Sequence, residues 1–286
     1  MNGGSPGRRE LVTEWLPDFV VRSPAFEQLC PRVVSALAAY ESFPEVKDWG
    51  RFSPEPSGDL AELELHELRT AQVRFTPQDD ARIRAAGGYD YYIKETGLVP
   101  SRPGSWHDLF NALMWRHYPA LKRGVHRLQL EDFAARVDPR RRTALGDAVT
   151  LLDEGGVIVL SSDPELLELI RQFSWLELFY ERRAAFQRRV RVLVVGHALL
   201  HALLRPFIGL VGQAWLVSAP DDALSDWRCA RSFADAYAAA HLAAEVRRPK
   251  DLHPLPLLGI PGYQDNDSAD YYRNLPAYFR GKGPRG

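Results

Sequence analysis

The strongest limit on the fold of this chain comes from a long apolar stretch between residues 192 and 217, VLVVGHALLHALLRPFIGLVGQAWLV. His197, His201, Arg205 and Pro206 interrupt it, and its uncharged runs are shorter than the ~20 residues that a membrane-spanning helix needs. A Val-rich run, a short run at helical spacing and a second apolar run are typical of a buried strand, helix and strand. The stretch therefore predicts a core of mixed helix and sheet, and we expect no membrane insertion.

Charge and cysteine content exclude several classes of protein. The chain carries 36 Lys and Arg against 37 Asp and Glu, a formal net charge of −1. No overall field therefore favours nucleic acid or an anionic membrane surface. Cys30 and Cys229 lack the CxxC spacing of zinc sites and are too few for a disulfide framework. The N-terminus has no apolar signal-peptide segment. These features predict a cytoplasmic protein that does not bind nucleic acid.

The helix and strand patterns predict an α+β fold, a helix-rich single domain with a small, mostly antiparallel sheet of about four strands. Strands are predicted at 71–75, 189–195 and 212–218 from their β-branched and aromatic content. A hairpin is predicted across 148–162, where two β-rich runs flank the sequence Asp-Glu-Gly-Gly. A long Ala-rich helix is predicted from 221 to about 246.

The domain organisation is predicted to be simple. A length of 286 residues suits one large domain, and the sequence has neither an internal repeat nor a clear linker. We expect residues 1–14 to form a flexible tail, residues 15–280 one globular domain, and residues 281–286 a second flexible tail.

One predicted helix carries several polar residues at its start, in SWHDLFNALMWRHYP. Ser105 is the expected N-cap, and Asp108, three residues later, would complete a capping box. A helix N-terminus also attracts anions, His107 and Asn111 share a helical face, and Arg102 could clamp a carboxylate or phosphate. The candidate catalytic residues here are His107, Asp108 and Asn111, and the candidate ligand-binding residues are Arg102 and Trp106. Capping alone would also explain Asp108.

Paired carboxylates form a second candidate site. Asp153 and Glu154 could bind a divalent metal or divide the roles of acid and base. Acidic residues before two glycines also suit a turn that faces water. We predict Glu154 as a catalytic residue and Asp153 as a metal ligand, with the turn as the alternative.

His197 and His201 form a third candidate site. Their spacing of four residues places two imidazoles on one helical face, as in zinc-binding helices. Ala198 stands where the HExxH motif has Glu, so a three-ligand site needs a ligand from elsewhere, such as His107, Asp153 or Glu154. We predict both histidines as metal ligands; one core histidine and one partly exposed histidine is the structural alternative.

Five segments carry a family resemblance, in this order: VRFTPQ, YDYYIKETGLVPSRPGSWHDLFNALMWRHYPALK, AVTLLDEGGVIVLSSD, VVGHALLHALLRPFIGLVGQAWLV and PLPLLGIPGY…YYRNLPAYFR. They resemble the bacterial family known as domain of unknown function 3025, over about residues 70 to 280. Tyr263 stands where the terminal motif of that family would have tryptophan. The resemblance implies one intact domain. It implies no catalytic residues, because the family has no established activity.

Two functions from different classes remain open. The first is a cytosolic enzyme or small-molecule-binding protein with a polar His/Asp/Glu pocket, for example a metal-dependent hydrolase that uses a divalent metal. The second is a non-catalytic protein–protein interaction module that uses the Arg-rich helix at 181–191 and an aromatic tail. The tail residues are Tyr263, Tyr271, Tyr272, Tyr278 and Phe279. Convergence of His107, Asp153 and His197 would favour the first.

Overall fold

A computed structural model describes residues 11–52, 73–138 and 141–281 of the chain. The α-helices are α1 (Pro31–Ala38), α2 (Asp80–Ala85), α3 (Tyr89–Thr96), α4 (Trp106–His117), α5 (Pro119–Ala135), α6 (Ala144–Gly155), α7 (Pro164–Gln172), α8 (Arg183–Arg189), α9 (His197–Ala202), α10 (Trp227–Glu245) and α11 (Ala269–Arg273). The strands are β1 (Arg74–Pro77), β2 (Leu98–Ser101), β3 (Gly156–Ser161), β4 (Val190–Val194), β5 (Val211–Ser218) and β6 (His253–Pro256).

Short helical segments connect these elements. Turns of 3₁₀ helix cover Phe19–Arg22, Pro24–Gln28, Val46–Arg51, Asp221–Leu224, Pro249–Asp251 and Leu257–Gly259. A π-helical turn covers Glu177–Glu181. The predicted α+β architecture is therefore confirmed, with helices around a small sheet.

The main sheet has four strands in the order β4-β3-β5-β6. β3 pairs antiparallel with β4 and parallel with β5, and β5 pairs antiparallel with β6. The sheet is thus mostly antiparallel, as predicted, with one parallel pairing that was not expected. β3 lies inside the sheet and is buried at every position, which explains why its sequence, GVIVLS, is almost continuously apolar. β1 and β2 form a separate parallel pair.

The predicted strands at 189–195 and 212–218 correspond to β4 and β5. The strand predicted at 71–75 corresponds to β1, although residues 71 and 72 lie outside the described residues. The long Ala-rich helix is α10, preceded by a separate 3₁₀ turn.

The predicted hairpin across 148–162 is wrong, because its first half belongs to α6. The Thr143 hydroxyl accepts hydrogen bonds from the Leu145 and Gly146 amides at 3.2 and 3.4 Å and so caps this helix. Leu145, Ala148, Val149 and Leu152 then recur at helical spacing, and all four are buried. Asp153 and Glu154 consequently lie in the last turn of a helix and not at the tip of a hairpin.

The pairing of β3 with β4 places two helix ends together. α6 ends directly before β3, and α9 begins three residues after β4. Because the strands are antiparallel, with Val157 opposite Val194, the start of β3 and the end of β4 lie at the same edge of the sheet. The last turn of α6 therefore meets the first turn of α9.

Part of the predicted N-terminal tail lies on the core. Residues 1–10 are outside the described residues, but Val12 is buried, and its carbonyl oxygen accepts a hydrogen bond from His201. The carbonyl of Glu14 accepts another from the Trp106 indole. Of the predicted C-terminal tail, residues 282–286 are outside the described residues.

The aromatic residues near the C-terminus pack on the core. Tyr272 and Phe279 are buried, and the Tyr278 hydroxyl donates to the carbonyl of Leu210 at 2.7 Å. In the Arg-rich helix, Arg182 forms an ion pair with Glu165, and Arg183 donates hydrogen bonds to Asn266. These side chains thus have partners within the chain.

Among the described residues, no helix combines the length and the apolar character needed to cross a lipid bilayer.

Candidate functional site

Three side chains from three helices converge at one point. His107 is in the first turn of α4, Glu154 in the last turn of α6 and His197 at the start of α9. Glu154 Oε2 lies 3.4 Å from His107 Nε2 and 3.6 Å from His197 Nε2. One ligand atom of each residue lies within 4.8 Å of those of the other two. This arrangement could hold a metal ion.

A close backbone contact sets the position of His197 beside Glu154. The amides of Val195 and Gly196 both donate to the carbonyl of Gly156, at 3.0 and 2.9 Å. A Cβ atom at position 196 would lie 2.4 Å from the Gly156 nitrogen and 2.6 Å from the Glu154 carbonyl oxygen. Glycine is therefore required at position 196 if the two helix ends are to approach this closely.

Asp108 holds His107 through a carboxylate–histidine hydrogen bond. Asp108 Oδ1 lies 3.0 Å from His107 Nδ1. The carboxylate also accepts hydrogen bonds from Arg102, at 2.6 Å from its amide, 3.0 Å from Nε and 2.7 Å from Nη2. Ser105 caps α4 as predicted, but the second half of the predicted capping box is wrong, because the Asp108 carboxylate binds Arg102 and His107.

Hydrogen bonds set the protonation states of Asp108, His107 and Glu154. Burial would raise the pKa of Asp108, but hydrogen bonds from His107 and Arg102 outweigh it and hold that pKa well below its ordinary range. Hydrogen bonds with Asp108 and then Glu154 raise the pKa of His107 to about 9. The hydrogen bond with His107 lowers the pKa of Glu154. The carboxylates are therefore ionised, and His107 is protonated at neutral pH.

Asp153 lies behind His197. Its Oδ2 is 4.0 Å from His197 Nδ1, while Oδ1 accepts a hydrogen bond from the buried ammonium of Lys122. Burial would raise the pKa of Asp153, but the charge of Lys122 and its hydrogen bond to the carboxylate keep that pKa below its ordinary value. Burial lowers the pKa of His197 to about 4, so its imidazole is neutral. His197 Nδ1 is a buried atom that has no hydrogen-bond partner among the described residues.

A cavity of about 280 Å³ opens beside the convergent side chains. Seven of the nine residues predicted from sequence line it: Arg102, His107, Asp108, Asn111, Asp153, Glu154 and His197. Glu154 is nearly half exposed, whereas His197 is buried. The lining also includes the apolar side chains of Ile93, Trp115 and Val125.

The other two predicted residues point elsewhere. Trp106 is 1% exposed and stacks on Trp15, with ring centres 4.7 Å apart. His201 Nε2 donates to the carbonyl of Val12 at 2.8 Å. His197 and His201 therefore do not meet at one point, although they are four residues apart on α9.

Two residues of the site were missed in the sequence. The Tyr89 hydroxyl lies in the cavity and accepts a hydrogen bond from Asn111 Nδ2 at 3.3 Å. Tyr89 is 36% exposed overall, but desolvation of its hydroxyl, together with the charges of Asp153 and Asp108, raises the pKa of Tyr89. No sequence signal distinguishes Tyr89 within the run YDYY. Lys122 did carry a signal, because only five of the 36 basic residues are lysine.

Comparison with known proteins gives one match. The model of a family described as "Protein of unknown function (DUF3025)" matches residues 73–282. The matched range includes His107, Glu154 and His197. No curated protein and no solved structure matches the chain.

Proposed function

The chain belongs to the protein family of unknown function DUF3025, and we propose that it is a metal-dependent hydrolase. Its divalent cation would be bound by His107, Glu154 and His197. The observation that carries the proposal is the convergence of one ligand atom from each of these residues at the edge of a cavity.

The spacing of the ligand atoms supports this assignment. Zinc binds histidine nitrogen and carboxylate oxygen at about 2.0–2.2 Å, so neighbouring ligand atoms in a tetrahedral site lie about 3.3–3.6 Å apart. The two separations from Glu154 Oε2 are 3.4 and 3.6 Å. Two histidines and one glutamate also form a ligand set of catalytic zinc sites, which leave the fourth position for water.

The surroundings of the two histidines also support a metal site. Metal-bound histidines usually face a carboxylate or carbonyl with their second nitrogen. Asp108 takes this position for His107, at 3.0 Å. Asp153 lies on the corresponding side of His197, at 4.0 Å, and is held by Lys122. Both Nε2 atoms are thereby directed to the same point.

The chemistry follows from a cation at this point. A zinc ion held by His107, Glu154 and His197 would supply a water of lowered pKa, about 7, for attack on a carbonyl or phosphoryl group. The substrate would occupy the cavity, with its apolar part against Ile93, Trp115 and Val125. Tyr89 remains protonated and accepts from Asn111, so its own proton is available to an oxygen of the substrate.

The alternative function, a protein–protein interaction module, has less support. It depends on exposed aromatic residues near the C-terminus, whereas Tyr272 and Phe279 are buried. The polar cavity, in contrast, offers a reason for ionisable side chains in an apolar part of the chain.

The test is metal content followed by hydrolysis. Protein purified without chelator should hold about one equivalent of zinc, manganese or iron by elemental mass spectrometry. The His197→Ala variant should lose it. His241→Ala is the matched control, because His241 is half-exposed on α10 and its loss should leave the metal in place.

Hydrolysis would be measured with p-nitrophenyl acetate, p-nitrophenyl phosphate and an amino-acid p-nitroanilide. We expect wild type and His241→Ala to cleave at least one of these probes, and His197→Ala to cleave none. A wild-type protein that binds no added divalent metal, or a His197→Ala variant that retains it, would contradict the proposal.

A further inference from the structure

Residues 12–15, called the N-terminal strap below, contact two helices through backbone carbonyls. The carbonyl of Val12 accepts a hydrogen bond from His201 Nε2 at 2.8 Å. The carbonyl of Glu14 accepts one from the Trp106 indole, also at 2.8 Å. The Trp15 ring stacks on Trp106, with an angle of 8° between the rings.

Each contact point is next to a proposed metal ligand. Trp106 directly precedes His107 in the first turn of α4. His201 is one turn beyond His197 in α9. The N-terminal strap therefore connects the two helices that carry the proposed ligating histidines.

His201 makes this connection with a side chain that is costly to bury. His201 is 8% exposed, and its Nδ1 has no hydrogen-bond partner among the described residues. An apolar side chain at this position would avoid an unpaired buried nitrogen. The imidazole contributes a hydrogen bond to the Val12 carbonyl, which an apolar side chain could not make.

We propose that His201 is a positioning residue, which acts through the N-terminal strap to set the distance between His107 and His197. The inference rests on the metal site proposed above and assigns His201 a role other than metal ligation. Helices α4 and α9 also pack directly on each other, and the ring centres of His107 and His197 are 4.4 Å apart. Loss of the bond to Val12 would remove the additional restraint that the strap places on this packing, and the distance between the two Nε2 atoms would be fixed less tightly. Supporting residues around a metal site typically change metal affinity by about 10–100-fold.

The experiment measures metal affinity by chelator competition on the full-length chain, with zinc as the probe. His201→Ala should bind zinc about 10-fold more weakly than wild type. His201→Gln should recover most of the affinity, because the amide N–H can still donate to the Val12 carbonyl. Circular dichroism would confirm that each variant is folded at the temperature used.

His117→Ala is the matched control. His117 is also a buried histidine with hydrogen bonds to the backbone, but it lies at the other end of α4. Its loss should lower the melting temperature and leave the zinc affinity of the folded protein unchanged. A general effect of destabilisation on affinity would appear in this variant as well and would overturn the proposal.

A second variant tests the other end of the strap. Trp106→Phe keeps an aromatic ring against Trp15 but removes the donor to the Glu14 carbonyl, and it should also weaken zinc binding. If His201→Ala does not fold, this variant decides the question.

Wild-type affinity in His201→Ala or in Trp106→Phe would overturn the role of the strap and leave the metal site intact. A wild-type protein that binds no zinc would overturn the metal site and this inference together.

Discussion

Buried polar side chains lie at both ends of helix α4, but the two groups differ in how completely their atoms are hydrogen-bonded. At the C-terminal end, His117 Nδ1 donates to the Leu113 carbonyl at 2.9 Å, and Nε2 accepts from the Cys30 amide at 3.1 Å. The Tyr118 hydroxyl donates to Gln28 Oε1 at 2.9 Å. The side-chain nitrogen of Gln28, Nε2, in turn donates to the Val194 carbonyl at 3.0 Å.

At the N-terminal end, several atoms lack such partners. His197 Nδ1 and Asn111 Oδ1 have no hydrogen bond within the described residues, and three ligand atoms converge beside a cavity. A buried histidine is therefore not in itself a sign of function. The difference lies in whether the surrounding chain satisfies both ring nitrogens, as it does for His117, or leaves one without a hydrogen bond beside a cavity, as for His197.

Gly196→Ala should be the most damaging substitution, and it should act on the group of side chains at the N-terminal end of α4 and not on those at the C-terminal end. A Cβ at this position would approach backbone atoms of Gly156 and Glu154 to 2.4–2.7 Å, and backbone cannot move aside as a side chain can. We expect a loss of about 3 kcal/mol or more in the free energy of unfolding, measured with urea, together with loss of bound metal.

Gly155→Ala is the control for that variant. A Cβ at position 155 meets nothing within 4 Å, so alanine should be neutral or slightly stabilising at this helical position. Equal destabilisation by both substitutions would show that the close approach at Gly196 is not important.

The second prediction concerns the C-terminal end of α4, where the buried, neutral His117 should make the free energy of unfolding depend on pH. Burial lowers the pKa of His117 to about 4, from an ordinary value of 6.5. Below pH 6.5 the unfolded chain gains a proton that the folded protein does not, so the stabilising contribution is complete above pH 6.5 and decreases towards pH 4. Between pH 7 and pH 5 this residue alone should remove about 2 kcal/mol of unfolding free energy.

Urea titrations of wild type and His117→Leu at both pH values would measure this contribution. The variant should be less stable at pH 7 but should lose less on acidification, because it no longer has the titrating group. Identical losses in the two proteins would mean that His117 is not held neutral.

The third prediction concerns Asp108→Asn, which should weaken metal binding by about 10–100-fold, because the supporting carboxylate of His107 is lost. Ser105→Ala is the control, since Ser105 caps the same helix end through its hydroxyl and does not contact His107. It should cost about 0.5–2 kcal/mol of stability without a change in metal affinity. If the control also loses affinity, the integrity of the helix end matters more than the carboxylate.

The smallest effect is expected for Tyr89→Phe. A neutral hydrogen bond contributes about 0.5–1.5 kcal/mol, so the loss of the hydroxyl should lower kcat by about 2–10-fold on any probe that the wild type cleaves. Metal content and melting temperature should not change. A variant with wild-type kcat would exclude the hydroxyl from the reaction.

Local sequence patterns predicted much of the fold. The Ser105 cap and the strands predicted at 189–195 and 212–218 depend on neighbouring residues only, and the structure confirms them as the cap of α4 and as β4 and β5. The error across 148–162 arose because Asp-Glu-Gly-Gly suits both a hairpin turn and a helix end. The Thr143 cap and the spacing of buried residues from Leu145 to Leu152 favour the helix.

The candidate site was less accessible to sequence reasoning, because it depends on contacts between distant residues. The spacing of His197 and His201 predicts a shared face but not what lies opposite that face. Glu154 lies opposite His197, while the carbonyl of Val12 lies opposite His201. The first of these contacts follows only once the antiparallel pairing of β3 with β4 is known.

The three proposed ligands come from three helices that are far apart in the sequence, and this has a consequence for how the protein responds to its surroundings. Unfolding would separate α4, α6 and α9 and release a bound ion, so metal availability and folding are coupled by mass action. Above the dissociation constant, each 10-fold rise in free metal would add about 1.4 kcal/mol to the free energy of unfolding. The melting temperature of the intact chain would therefore report the free concentration of its metal, and a cell short of that metal would contain a less durable protein.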